Sequence, residues 1–229
     1  MNESVRAYLA EFVGTFTLVF VGTAVATLQG FLTGYGDTGW LGISFAFGFT
    51  LMVLVWTLGP VSGCHVNPAV TIPMALSGRL AMSRVPGYII SQFLGAMAAS
   101  TVLMILLGGL PDYSVAGCGL GANGNPRNMS AAALFGWELI LTGLFLFVIF
   151  SATREEATPG VAGLAIGGFL FVAHLVGAQL GDSSLNPARS LGPALLQGGN
   201  ALNVLWIFLI APMIGGIIGW LLYKVVYAD

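Results

Sequence analysis

Two short stretches of the chain carry the side chains best suited to chemistry, residues 63–70 and 183–190. Each contains Asn-Pro-Ala, and the two asparagines lie 119 positions apart (186 minus 67). A proline directly after an asparagine is typical of a helix start, where proline takes the first helical position and asparagine caps it. Each stretch is therefore predicted to be a loop that enters a short helix and brings amide donors to a positive helix end. The two boxes comprise Asn67, Pro68, Ala69 and Asn186, Pro187, Ala188.

The elements that position these stretches follow from an apolar composition. Of 229 residues, 57% are hydrophobic and only 7% are charged, and the mean hydropathy is +0.92. Soluble domains carry about 25% charged residues, so most of this chain's exterior is expected to face lipid. The length suits six spans of roughly 20 residues with short loops and leaves no room for a separate soluble domain. We predict an all-α membrane protein.

The rest of the composition gives no sign of an enzyme. The net charge of −2 is small and indicates no nucleic-acid partner. The two cysteines, Cys64 and Cys118, form no CxxC or Cys/His spacing, and the two histidines lack the spacing of metal ligands. No nucleophile–base pair is recognisable. We predict no enzymatic activity, no metal and no cofactor.

Long apolar runs predict six membrane spans, at about residues 5–29, 41–58, 86–107, 131–150, 160–180 and 202–226. Two further apolar segments, 69–76 and 187–196, are too short to cross a bilayer and are predicted to be re-entrant half-helices. A polar loop is expected at 33–39, and the segment 108–128, rich in Gly, Asn and Pro, is expected to connect two halves.

The order of these elements repeats, as span, span, half-helix, span in each half. Glu11, early in the first span, has a counterpart in Glu138, early in the fourth. Three spans per half insert the two halves in opposite directions. This predicts one channel domain over 1–229 built from inverted repeats at about 1–115 and 129–229, with the site where the broken helices meet near the midplane.

Basic residues indicate the orientation. In this topology, Arg127 is the one cation in a loop on one side of the membrane, and Arg189 falls within the second half-helix. The remaining cations fall on the opposite side of the membrane. Those remaining cations are Arg6, Arg79, Arg84, Arg154 and Lys224. The positive-inside rule then places both termini in the cytoplasm. We expect a multi-pass protein of the cell (inner or plasma) membrane, in contact with its lipid.

Irregular backbone is expected before each asparagine. At membrane depth it is tolerated only where protein buries it or water wets it. We predict it at Gly59, Pro60 and Gly63 in the first half, and at 181–184 in the second. Carbonyl groups there would replace water's hydrogen bonds, while the asparagine amides and the positive helix ends would meet at the centre. A proton or cation meets that barrier, whereas a neutral water does not.

The paired boxes, the second continuing as Asn-Pro-Ala-Arg-Ser over 186–190, resemble those of the aquaporin (major intrinsic protein) family. The resemblance covers essentially the whole chain and includes Glu11, Glu138 and the approach at 62–67. It implies six spans and two half-helices around an hourglass pore, with one pore in each subunit of a homotetramer. It also implies a selectivity filter at Phe47, His174, Ser183 and Arg189.

The same resemblance implies a branch of the family. Phe47 would close one wall of the filter, and His174 and Arg189 would donate hydrogen bonds. Glycerol-conducting members of the family have a different filter sequence. It resembles one with a second aromatic residue, a glycine at the position of His174 and usually an aspartate at the position of Ser190. The chain looks like the water-selective branch. In the family that the chain resembles, threonine or cysteine is commoner than serine at the position of Ser183. A slightly wider filter aperture is therefore expected there.

Glu11 and Glu138 are expected to accept hydrogen bonds from backbone amides of the two re-entrant loops. An ionised carboxylate within a span otherwise costs at least ~2.5 kcal/mol. Apolar side chains on the same helical faces as these carboxylates and the filter residues are predicted to form the pore wall. These are Leu18, Phe145, Leu51 and Leu170. Further pore-lining candidates are the loop residues Gly63, Cys64, His65 and Ser184, with ordinary packing as the alternative for Cys64 and His65.

Together these features predict passive flow of water down an osmotic gradient, with protons and ions excluded. Two alternatives remain open. One is a facilitator of small neutral solutes such as glycerol or ammonia, which a wider aperture at Ser183 would favour. The other is an ion- or proton-coupled secondary transporter, which inverted repeats and carboxylates within the spans would suit.

Overall fold

The computed structural model describes residues 2–31, 39–180 and 183–227. Within these ranges the chain forms nine α-helices and one 3₁₀ turn, Met82–Arg84. The helices are α1 (Glu3–Phe31), α2 (Gly39–Ser62), α3 (Pro68–Leu76), α4 (Val85–Leu107), α5 (Val115–Cys118), α6 (Ala131–Ala152), α7 (Ala162–Leu180), α8 (Pro187–Gln197) and α9 (Asn200–Val226). The loop expected at 33–39, apart from Gly39, and positions 181 and 182 lie outside the described residues.

Of the described helices, six are long and apolar enough to cross a membrane, namely α1, α2, α4, α6, α7 and α9. This confirms the all-α class and the predicted number of spans. Helices α3 and α8 have 9 and 11 residues, which at 1.5 Å per residue is roughly 14 and 17 Å. Neither can cross a bilayer. Both begin at the predicted prolines, Pro68 and Pro187, and the preceding asparagine caps each one.

The second span is longer than predicted. Helix α2 continues through Gly59 and Pro60 to Ser62, so the expectation of irregular backbone at Gly59 and Pro60 is wrong. A proline removes one helical hydrogen bond, and the backbone N–H of Gly63 still donates to the Gly59 carbonyl at 2.9 Å. Between α2 and α3, the non-helical backbone is confined to residues 63–67.

The two halves pack in a pattern that repeats between them. Helix α1 packs on α4, and α6 packs on α9. Each half-helix also contacts the last span of the other half, α3 against α9 and α8 against α4, while α2 and α7 pack on each other. A Cβ added to Gly167 of α7 would lie only 2.5 Å from the Gly48 carbonyl oxygen of α2, so glycine permits this close approach. The packing brings both half-helices to the centre of the bundle.

Cations cluster at the end of the bundle that holds both chain termini. Arg84 pairs with Glu3 near the start of the chain at 3.1 Å. The Arg154 guanidinium lies 4.7 Å from the centre of the Tyr227 ring near the end of the chain. Arg127 instead donates to the Gln179 carbonyl. Gln179 lies at the end of α7 that leads into the second re-entrant loop.

Candidate functional site

The two asparagines meet at the centre, where each caps its own half-helix and binds the opposite loop. The side-chain oxygen of Asn67 accepts from the backbone N–H two positions on at 2.8 Å, and its Nδ2 donates to the Leu185 carbonyl at 2.7 Å. Asn186 makes the same pair of contacts at 3.0 and 2.8 Å, the second to the Val66 carbonyl. The caps fix the orientation of both amides. One N–H of each Nδ2 therefore binds a carbonyl of the opposite loop, and the second N–H can donate to a molecule in the cavity that both residues line.

Glu11 holds the first re-entrant loop with four hydrogen bonds. Its Oε1 accepts from the Ser62 hydroxyl at 2.7 Å and from the His65 backbone N–H at 2.9 Å. Its Oε2 accepts from the Val66 backbone N–H at 2.6 Å and from Gln92 Nε2 at 2.7 Å. The carboxylate is fully buried, so these four donors replace the water that it would otherwise bind.

Glu138 holds the second loop in the equivalent way. It accepts from the backbone N–H groups of Ser184 and Leu185 at 2.8 and 3.0 Å. Val66 and Leu185 occupy matching positions and both have left-handed backbone, with φ of 44° and 56°. Such a conformation costs a non-glycine residue about 1–3 kcal/mol. In each loop the N–H of this left-handed residue donates to a glutamate, and its carbonyl accepts from the asparagine of the opposite loop. These two hydrogen bonds offset the cost.

Two cavities meet at His174 and Arg189. A narrow cavity of ≈ 60 Å³ runs along the half-helix starts, and a wide cavity of ≈ 570 Å³ lies beside the connector between the halves. His174 and Arg189 line both cavities, whereas Phe47 lines the narrow one and Ser183 the wide one. The four predicted filter residues thus lie at the junction of the two cavities.

Three of the predicted filter side chains lie in contact, with Phe47 between the other two. The Phe47 and His174 rings stack with centres 4.7 Å apart, and the Arg189 guanidinium carbon lies 4.8 Å from the Phe47 ring centre. His174 Nδ1 lies 2.9 Å from the Leu170 carbonyl, which can only accept, so Nδ1 carries a proton. In the neutral ring Nε2 is then an acceptor. His174 could therefore donate into the predicted filter only with a protonated ring, while Arg189 carries the donors.

The predicted wall and loop residues lie together along the narrow cavity. They are Leu18, Leu51, Phe145, Leu170, Gly63, Cys64, His65 and Ser184. Its far end has further apolar lining that was not predicted, including Val55, Ile149 and Ile166. Each of these lies four residues from a predicted wall residue, so extending the same helical spacing by one turn identifies it. Met74 and Thr153 also line this end.

His65 and Cys64 both line the narrow cavity, although each is largely buried. His65 is 7% exposed, and its Nδ1 lies 3.3 Å from the Thr71 hydroxyl. Thr71 in turn accepts from Gln92 Nε2 at 2.9 Å, which links the ring to the side chains around Glu11. Cys64 is 6% exposed and is a free thiol.

The position of Cys64 predicts sensitivity to thiol reagents. A mercurial bound to its sulfur would occupy the narrow cavity, so water flow through wild-type protein is expected to fall to the rate of empty vesicles. Cys64→Ser is expected to remove this inhibition, and stopped-flow light scattering measures both rates. The matched control is Cys118→Ser in the connector, which should remain fully inhibited. Complete inhibition of Cys64→Ser would show that the thiol does not control the passage.

Asn123 contacts the predicted filter residue Arg189 and was not singled out from the sequence. It lies in the connector and is 2% exposed. Its side-chain oxygen accepts from Arg189 Nη1 at 2.6 Å and from the Ser190 hydroxyl at 2.9 Å. These partners are 66 and 67 residues away in the chain. Nothing in the local pattern of a segment rich in Gly and Asn distinguishes this residue from its neighbours.

Comparison with known proteins gives consistent matches over the chain. Residues 1–223 match the Major intrinsic protein family. The chain is 41% identical to Aquaporin Z of Rhodopseudomonas palustris, covering 95% of this chain and 92% of the relative. It is 38% identical to Aquaporin Z of Photorhabdus laumondii, covering 98% of each. The solved aquaglyceroporin from Plasmodium falciparum has a similar fold, with a TM-score of 0.85 and 23% identity over 98% of this chain and 97% of that one.

Proposed function

The chain belongs to the major intrinsic protein family, and we propose that it is a passive water channel that excludes protons and ions. The observation that carries this proposal is the junction of the two cavities at His174 and Arg189. Any solute that passes between the cavities meets one guanidinium donor, one imidazole acceptor and one aromatic wall. The relatives named Aquaporin Z support water as the transported molecule.

Water finds both kinds of hydrogen-bonding partner along this path. At the filter it accepts from Arg189 and donates to Nε2 of His174, which has no partner among the described residues. At the centre it accepts from the N–H groups of Asn67 and Asn186 that face the narrow cavity. Between these points the apolar wall offers no competing partner, so water is held to a single file.

Protons and cations are excluded by positive charge at two levels of the path. Arg189 places a fixed charge at the filter. Farther in, helices α3 and α8 direct their N-terminal ends to the asparagine pair, and each end carries about half a positive elementary charge. A neutral water passes both levels without a charge penalty.

A coupled transporter is disfavoured by contacts between the halves. The Nδ2 atoms of Asn67 and Asn186 bind carbonyl groups of the opposite loop at 2.7 and 2.8 Å. Alternating access moves one repeat against the other around the site, and such a movement would break both bonds at the centre. Glycerol, which is larger than water, is disfavoured because the cavity that the stacked Phe47 and His174 rings line is narrow, ≈ 60 Å³.

The membrane arrangement belongs to the same proposal. The end that carries both termini, Arg84 and Arg154 is cytoplasmic, and the wide cavity opens to the opposite side. The protein lies in the cell membrane as a homotetramer with one pore in each subunit, and it catalyses no reaction. The two halves form one domain of inverted repeats, which the exchanged packing of α3 and α8 supports.

Osmotic shrinkage of proteoliposomes tests this function. With sucrose as the osmolyte, vesicles that contain the protein are expected to shrink much faster than empty ones. With glycerol they should shrink equally fast and then re-swell no faster than empty vesicles. Rapid re-swelling in glycerol would favour a broader facilitator, and shrinkage at the rate of empty vesicles would contradict a water channel.

A further inference from the structure

Asn123 connects two filter residues and the neighbouring Ser190 through one amide. Its Oδ1 accepts from Arg189 Nη1 at 2.6 Å and from the Ser190 hydroxyl at 2.9 Å, while its Nδ2 donates to the Ser183 carbonyl at 3.2 Å. Because Oδ1 faces donors and Nδ2 faces a carbonyl, only one of the two amide orientations satisfies all three contacts. The position of this side chain therefore bears on two filter residues at once.

The backbone that carries Asn123 is itself held in place. Gln197, at the end of α8, accepts from the backbone N–H groups of Leu120 and Ala122 at 2.7 and 3.3 Å. Gly121 has a φ of 65°, and a Cβ added there would lie 2.9 Å from the Thr23 carbonyl oxygen of α1. The segment is thus fixed between α1 and the end of α8, and Asn123 extends from a rigid support.

Arg189 depends on this support for its direction. Its side chain is long, and Nη1 lies between the Gly121 carbonyl at 3.0 Å and Asn123 Oδ1 at 2.6 Å. The Gly121 carbonyl remains when Asn123 is truncated, so the guanidinium would stay near the connector. It would lose its 2.6 Å contact with Asn123, one of the contacts that direct it toward the Phe47 ring, and the space vacated by the amide would let it withdraw from the junction.

We propose that Asn123 is a positioning residue that sets the aperture of the filter, and hence its preference for water over small polyols. This inference rests on the proposed function, since it assigns a role at the same filter. Asn123 acts through Arg189 and through the Ser183 carbonyl. It lines the wide cavity beside the junction of the two cavities.

The test is the ratio of water to glycerol permeability, measured on vesicles that contain equal amounts of tetramer. Asn123→Ala is expected to lower this ratio by about tenfold, the usual effect of losing a hydrogen bond to a charged group. Asn125→Ala is the matched control, because among the described residues the Asn125 side chain binds the Met129 backbone, at 2.7 and 2.9 Å, and no filter residue. Its ratio should equal that of the wild type.

A second variant separates positioning from general damage to the fold. Asn123→Asp keeps the shape and the acceptors for Arg189 and Ser190 but loses the donor to the Ser183 carbonyl, so the ratio should return part of the way to the wild-type value. A ratio for Asn123→Ala that stays within about twofold of the wild type, or rises, overturns the proposal, and so does an Asn123→Asp ratio as low as that of Asn123→Ala.

Water flow through the wild-type protein is measured first. Its absence would reject the channel itself, whereas its presence with an unchanged ratio would reject only the role of Asn123.

Discussion

Replacing Glu11 with alanine is expected to lower the midpoint of thermal unfolding by about 10 °C or more and to abolish water flow. The substitution leaves four donors without their acceptor in a buried site, two of them backbone N–H groups of the first re-entrant loop. Each buried donor left unpaired costs about 1–3 kcal/mol. The left-handed backbone of Val66 also loses the contact that offsets its strain. Fluorescence-detected size exclusion after heating measures the midpoint.

Two further variants show whether the loop contacts are the cause. Glu11→Gln keeps the volume and one acceptor, so an intermediate loss of stability is expected. Glu3→Gln is the matched control, because Glu3 is exposed and its carboxylate pairs with Arg84 on the surface. It should behave as the wild type. A midpoint for Glu11→Ala within about 2 °C of the wild type would mean that the loop holds its shape without this carboxylate.

Replacing Arg189 with valine is expected to admit cations or protons while water flow continues. A unit charge at about 4 Å contributes roughly 4 kcal/mol at an effective dielectric constant near 20, and every 1.4 kcal/mol changes a rate tenfold. The helix ends at Asn67 and Asn186 still oppose cations, so the increase is expected to be smaller than the roughly thousandfold that this charge alone implies. We expect proton flux to rise at least about tenfold. A pH-sensitive dye trapped in vesicles measures it.

Arg127→Val is the control for net charge, because Arg127 lies in the same connector as Asn123 but outside the filter and donates to the Gln179 carbonyl. Its proton flux should equal that of the wild type. If Arg189→Val also retained the wild-type proton flux, the filter charge would not be part of the barrier. Exclusion would then rest on the helix ends alone.

The parts of the structure that could be predicted depend on local signals. Asn67-Pro68 and Asn186-Pro187 specify helix starts through capping and a fixed proline φ, and α3 and α8 begin at those prolines. The long apolar runs specify the spans because each must satisfy its own backbone in lipid. The ends of the spans differ from the predicted positions mainly where the sequence carries no capping signal. Helix α2, for example, continues through Pro60.

The parts that could not be predicted depend on contacts between distant segments. The acceptor role of His174 follows from its contact with the Leu170 carbonyl, which fixes the position of the ring proton. Asn123 reaches Arg189 across 66 positions, and no pattern within the connector marks that contact. The resemblance thus predicts which residues form the filter, whereas the hydrogen bonds that these residues make required the geometry.

Simultaneous measurement of water and proton flux in the same proteoliposomes tests the central claim most directly. Vesicles with a trapped pH-sensitive dye are exposed to an osmotic gradient and a pH gradient, and both responses are followed by stopped flow. The proposed pore predicts fast shrinkage and a proton flux equal to that of empty vesicles. Proton flux that rises with protein content, or shrinkage no faster than in empty vesicles, would contradict a water channel that excludes protons.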